Sequence, residues 1–173
     1  MSRLPALAAV LTLALAPAAA GADETLPTPY TAEQIRNAFR PGTSYTLTVE
    51  SPQGVVATRT TVLAADLVQA TLESRALGAA GEPAGEPEVE VRAWTELRDH
   101  ARFPAGQARR ERVRRSTAFG ELEGWLYRVE GEGGARSELF FADRYPGPPL
   151  RFERVQGDTV LMRAEVTERR EGR

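Results

Sequence analysis

From Thr43 onward the chain alternates. Tyr45, Leu47 and Val49 interleave with Ser44, Thr46, Thr48 and Glu50, the period of two that a strand with one buried and one wet face requires. After a turn at Pro52-Gln53-Gly54, Val56, Thr58, Thr60 and Val62 share one side, and beyond Ala65-Asp66 so do Val68, Ala70 and Leu72. Gly78 to Pro87 is a low-complexity loop inside the sheet, because alternation resumes at once: Val89, Val91 and Ala93 form an apolar side against Glu88, Glu90 and Arg92. In the second half Arg109 to Thr117 is a weak strand and Gly124 to Glu130 a strong one, with Trp125, Tyr127 and Val129 on one face. Gly131 to Gly134 turns into Leu139 and Phe141. Leu150 and Phe152 then alternate with Arg151 and Glu153, and Gln156-Gly157-Asp158 turns into Val160, Met162, Ala164 and Val166.

Two stretches break this period. Thr31-Ala32-Glu33-Gln34 has the form of a capping box, in which the Thr hydroxyl and the Gln side chain satisfy free N–H groups of a first helical turn. Ile35 and Phe39 fall on one face of that helix, and Pro41-Gly42 stops it. Thr95 to Arg102 spans two further helical turns, with Thr95 as N-cap and Phe103-Pro104 as the end. The expected fold is mainly β: over residues 31–173, a single twisted antiparallel sheet, a half-barrel-like meander of about nine strands with two short helices.

The amino terminus changes the setting. Met1 to Arg3 is basic, Leu4 to Ala16 apolar, and Ala20-Gly21-Ala22 supplies the small residues of a cleavage site, so residues 1–22 read as a removed signal peptide. The apolar run falls short of the roughly 20 residues that cross a bilayer, so no membrane span is expected after cleavage. Asp23 to Tyr30 carries two prolines and no periodicity, and reads as a tether. No cysteine follows the signal, which removes both a lipidation site and a disulfide framework. A periplasmic or secreted monomer is the expectation.

Charge and chemistry exclude more than they propose. Beyond the signal stand 21 arginines, no lysine and 24 acidic residues, a net charge of −3 that singles out no partner. His100 is the only histidine and reads as a helix-surface residue; with no cysteine, zinc and copper lack their usual ligands. No Ser stands in a Gly-x-Ser-x-Gly turn and no glycine-rich phosphate loop appears, so neither a catalytic triad, a metal nor a cofactor is expected. Glu88 with Glu90, and Glu121 with Glu123, have the spacing that puts two carboxylates on one face of a strand, as glycoside hydrolysis requires, but an ordinary solvated face has it too. No enzymatic activity is expected.

Three surfaces remain as candidates. Trp125, Tyr127, Leu139, Phe141, Leu150 and Phe152 share one apolar face, either core under the helices or the lining of a cavity for an apolar, lipid-like ligand. Arg109, Arg110, Arg112, Arg114 and Arg115 form the densest charge run, either a grip on an anionic partner or a charged guard on an edge strand. The run has no interleaved aromatics, and export makes nucleic acid no partner. The wedge Tyr145-Pro146-Gly147-Pro148-Pro149 cannot donate to a ladder at its prolines; it is either a connection between strands or, through Pro146 and Pro148, a rim that a partner reads.

Phe119-Gly120-Glu121-Leu122-Glu123-Gly124-Trp125-Leu126-Tyr127-Arg128-Val129, followed by Leu139-Phe140-Phe141-Ala142-Asp143-Arg144 and the wedge to Leu150, resembles a passage of exported bacterial domains of unknown function, themselves similar to the outer-membrane lipoprotein carriers. The likeness covers mainly the last 60 residues, with weaker support from Trp94-Thr95-Glu96-Leu97. It implies a half-barrel of antiparallel strands closed by helices over an apolar concave face. Two functions follow as expectations: an envelope protein that holds an apolar ligand on that face, or an interaction module that meets another envelope protein through the Arg-rich edge or the Pro-rich rim.

Overall fold

Thr31 caps the first helix as its spacing predicts. Its hydroxyl accepts from Gln34 N at 3.1 Å while its own N–H donates to Gln34 Oε1 at 2.8 Å, opening α1 (Ala32–Ala38). The computed structural model describes residues 24–172, so the signal peptide lies outside the described residues. Gly42, at φ +85°, then turns the chain into β1 (Ser44–Ser51), β2 (Gly54–Ala65), β3 (Gln69–Leu77) and β4 (Pro83–Ala93). After α2 (Trp94–Asp99) come β5 (Ala108–Thr117), β6 (Gly120–Glu130), β7 (Ala135–Ala142), β8 (Arg151–Gln156) and β9 (Thr159–Arg170).

All nine strands belong to one antiparallel sheet in the order β4-β3-β2-β1-β9-β8-β7-β6-β5. Consecutive strands are neighbours in the sheet except at one place, and one further pairing joins strands far apart in sequence. The last strand pairs with the first, Leu47 opposite Val166, which joins the two halves. β4 and β5, consecutive in the chain, lie at opposite edges, so the segment between them must cross the open side of the curved sheet. That crossing carries α2 onto α1, and the two helices cover the concave face.

The core follows from the register. Val62 and Leu72 pair directly, as do Tyr127 with Leu139 and Leu139 with Phe152, and each pair points to the concave side. Against them pack Ile35 and Phe39 of α1, Trp94 of α2, and Phe103. Each large apolar side chain so buried contributes about 1.5–3 kcal/mol of transfer free energy. The segment expected to be a tether is also part of this core. Leu26 N donates to Phe103 O at 2.9 Å, Tyr127 Oη donates to Pro27 O at 2.5 Å, and Tyr30 Oη donates to Ala142 O at 2.6 Å. Prolines kept this strap from joining the ladder; the two phenols, each needing a partner once buried, pinned it across the sheet instead.

A second apolar cluster lies on the opposite face of β6 and β7: Leu122, Leu126, Phe140 and Ala142, joined by Leu150 and Val166. It is covered by the chain's own hairpin. Arg115 reaches Glu138 of β7 at 3.9 Å and Ala118 N donates to Glu165 Oε1 of β9 at 3.0 Å, so the tip of the β5–β6 hairpin bends back over the outer face. Gly124 permits the bend: a Cβ there would strike the Phe141 carbonyl.

Four details depart from the sequence reading. α2 begins one residue early, with Trp94 inside it and Glu96 Oε2 accepting from Ala93 N at 3.1 Å, so Thr95 is not its cap. β4 begins at Pro83, shortening the loop. Val68 lies in the turn before β3, where Asp66 Oδ1 accepts from both Val68 N and Gln69 N. Leu150 does not share the face of Phe152: β8 starts only at Arg151, after the prolines, and Leu150 bonds to Phe140 and Val166 with its side chain in the second cluster.

Candidate functional site

The apolar face is occupied by the protein itself. Tyr127, at 0 % exposure, packs against Phe141 and Phe103 with ring centroids at 5.5 and 5.4 Å, and Tyr30 from the strap meets Phe141 edge-on at 6.1 Å. Leu139 and Phe152 are buried in the same cluster. Burial pushes the Tyr30 and Tyr127 phenols above their ordinary pKa, the price of removing a phenolate from water. Two open, shallow depressions on the protein lie elsewhere. The larger, about 230 Å³, is on the outer face of β2 and β3 beside Arg59, Thr61, Glu73 and Arg75. Trp125 differs from its neighbours on the face: it is half-buried, with the Arg110 and Arg112 guanidinium carbons 4.3 and 5.0 Å from its ring centroid.

The wedge is seated on α1. Gly147 adopts φ +147°, and a Cβ at that position would come within 2.6 Å of the Phe39 ring. Pro146 and Pro148 are half-buried beside it. Arg169 secures the same joint: its guanidinium carbon lies 5.6 Å from the ring centroids of both Phe39 and Tyr145, and its Nη2 donates to Ala38 O at 3.1 Å. Desolvation lowers its pKa. Alternation alone puts residue 169 on the wet side with Arg163 and Glu165. A bulge in the β1–β9 register, where Leu47 faces Val166 but Thr46 faces Glu168, reverses the parity and brings Arg169 opposite Tyr45.

The arginine run is an edge strand, β5, and it is largely paired within the chain. Arg112 makes a bidentate pair with Asp143 at 2.8 and 2.6 Å, Arg114 meets Glu123 at 2.6 Å, and Arg110 donates to Pro27 O at 3.1 Å. The hydrogen bond from Arg114 holds the Glu123 carboxyl below its ordinary pKa. Pairs of this kind are solvent-exposed and screened by salt, so they leave the arginines exchangeable. Arg109 is exposed and has no ion pair among the described residues. Glu130 N donates to Gln107 O, which sets the phase of the ladder. Odd-numbered residues of β5 bond to β6, and the backbone groups of Arg110, Arg112 and Arg114 point to the open edge.

At the other edge the valines of β4 face outward, against the sequence reading. Trp94 enters the core and its indole donates to Asp66 O at 2.9 Å. Counting back by twos, Arg92, Glu90 and Glu88 share its side, with Glu90 opposite Leu72, while Val91 and Val89 lie on the outer face at 54 % and 55 % exposure. The indole outweighs two valines, so it decides the register. Glu90, once a candidate carboxylate, is held by Arg92 at 2.7 Å, and His100 sits exposed at the end of α2.

Among the described residues no helix is long and apolar enough to cross a membrane. No family model and no curated protein sequence matches the chain. Solved structures do. The complex structure of Pseudomonas aeruginosa MucA/MucB matches with a TM-score of 0.52 at 14 % identity, over 82 % of this chain and 56 % of the matched one. MucB in complex with MucA(peri) matches with a TM-score of 0.53 over 82 % and 54 %, and MucB alone with 0.52 over 82 % and 57 %, both again at 14 % identity. The chain therefore spans little more than half the length of the structures it matches, and at this identity the likeness is one of fold: a distant structural similarity to MucB, the coarser form of the half-barrel resemblance carried by the sequence.

Proposed function

We propose that the protein is a non-enzymatic interaction module of the cell envelope, and that it receives an extended, acidic segment of another polypeptide along β5. The observation that carries this reading is the filling of the concave face. Tyr30, Phe39, Trp94 and Phe103 already occupy the space an apolar ligand would take, so the open work surface is the sheet's exterior. There β5 offers unpaired backbone groups flanked by five arginines, the two ingredients of strand addition with charge selectivity. That MucB has been crystallised with MucA supports a binding role for a sheet of this kind.

A direct test titrates a synthetic peptide of alternating Glu and Val into the protein while following Trp125, whose ring lies under Arg110 and Arg112. Binding that shifts emission, weakens with salt, and is lost in Arg109→Glu/Arg114→Glu while the melting temperature holds is the expected outcome. Equal binding by the reversed-charge variant would sink the β5 reading. A lipid carried by protein isolated from its own compartment, seen by native mass spectrometry, would restore the ligand carrier.

A further inference from the structure

The opposite edge of the sheet has a different complement. β4 presents Val89 and Val91 outward on one side and Glu88, Glu90 and Arg92 on the other, and among the described residues no strand pairs with it beyond β3. Trp94 N donates to Val68 O at 3.0 Å, which phases this ladder as well: Arg92, Glu90 and Glu88 bond back to β3, and the N–H and C=O groups of Val89 and Val91 point to the open edge. The usable length is bounded. Pro87 lacks an N–H at one end and α2 begins at Trp94 at the other, leaving residues 88–93.

We propose that this edge is an interface between two copies of the chain, joined β4 to β4 in antiparallel fashion about a two-fold axis through Glu90. The segment is self-complementary in that register. With Glu90 on the axis, Val89 lies opposite Val91 of the second copy, and these are the residues whose backbone groups are open, so each pair exchanges both N–H···O bonds. Their side chains close into a row of four valines on the outer face. On the inner face Glu88, which has no ion pair among the described residues, comes opposite Arg92 of the second copy, and Arg92 opposite Glu88. Arg92 spends Nε and Nη2 on Glu90 Oε2, at 2.9 and 2.7 Å, which leaves Nη1 to cross the interface. The two Glu90 carboxylates that meet at the axis are each already held by that arginine. Shifting the axis to residue 88 pairs Pro87 with Val89 and loses a donor; shifting it to residue 92 drives β4 into α2.

The charge contrast between the two edges does not favour a head-to-tail alternative. β4 and β5 are separated by an even number of antiparallel steps and so run in the same direction. Docking β4 of one copy on β5 of the next, as a continuation of the sheet, would make a parallel, head-to-tail contact that ends either in a ring or in open chains, not in a dimer. The two-fold contact closes.

The mechanism is separable from partner binding at β5, since it uses the other edge. Sedimentation velocity across a concentration series reads the result. The expected outcome is a monomer–dimer equilibrium with no larger species. Glu88→Arg or Arg92→Glu alone sets like charges face to face and weakens the dimer about tenfold or more, and the double variant Glu88→Arg/Arg92→Glu, which exchanges the two charges, recovers it. Binding of the acidic peptide at β5 stays unchanged in all three. Both positions lie on a wet edge, so melting temperatures hold and report that the variants fold. A monomer at about 100 μM, where an edge contact of this size should register, would overturn the proposal. So would chains of graded length, or a dimer that the double swap fails to restore.

Discussion

Phe141→Ala puts the filled concave face to a quantitative test. Removing a buried phenylalanine side chain costs about 3–5 kcal/mol, set by the transfer of the ring and by how far the surroundings collapse into the void. Collapse is restricted here. The ring's two aromatic neighbours, Tyr30 and Tyr127, are tied by their hydroxyls to Ala142 O and Pro27 O, and both stand on backbone fixed by the strap and the sheet. The loss should fall near the middle of the range, about 4 kcal/mol, which in a domain of this size lowers the melting temperature by roughly 10 °C. Urea denaturation followed by circular dichroism gives the free energy, with an unchanged slope confirming that the same surface unfolds. A loss below about 1 kcal/mol would refute the reasoning, because a ring that borders an open cavity has little packing to lose. It would then be the face, not the edges, that awaits a ligand.

Three further outcomes follow from the same contacts. Gly147→Ala should cost about 1–3 kcal/mol in the same urea assay, because the new Cβ meets the Phe39 ring and the backbone holds φ +147°, whereas Pro148→Ala should cost only about 0.4–1 kcal/mol through the unfolded chain. Equal effects would mean that the wedge is not seated on α1. Thr31→Ala removes the cap of α1 and should cost about 1 kcal/mol, and Thr31→Ser should recover most of it. Tyr30, Tyr45 and Tyr127 all have phenol pKa values raised by burial, so the folded state keeps protons that the unfolded chain gives up near pH 10. Their stability contribution is complete below that pH and declines as pH rises above it. Absorbance at the phenolate band should show these three silent until the chain unfolds, and titration of all four tyrosines near pH 10 in folded protein would contradict the burial.

What the sequence disclosed and what it hid divide along one physical line. Alternation gives the faces of a strand only relative to each other, and an anchor must say which face is inside. For β6 the anchor is in the strand itself, since Trp125, Tyr127 and Val129 outweigh anything opposite them, and the face, the nine strands and the first helix were legible. β4 carries no such anchor. Its valines looked like the inside until Trp94, read as the end of the strand but in fact the first residue of α2, proved to set the parity of the residues before it. Leu150 failed for a related reason: it bonds to β7 and β9 one residue before the regular register of β8 begins at Arg151, so the strand's phase does not extend to it.

The hidden cases share a cause that sharpens the functional reading. Arg169 turned inward at a bulge, the Glu24–Tyr30 stretch became a strap through one hydroxyl bond to β7 and one from β6, and the β5–β6 hairpin folded back at Gly124; each depends on a partner more than 15 residues away. All three devices cover a face of the sheet, one inside at α1, one across the concave mouth, one outside over Phe140. None covers an edge. A chain that places a strap, two helices and a folded hairpin on its faces, yet leaves β4 and β5 as edge strands of opposite charge, has open backbone hydrogen-bonding groups at those two edges among the described residues. On the proposed reading, partner binding at β5 and self-association at β4 are the two ways that capacity is met, and charge reversal on one edge at a time separates them.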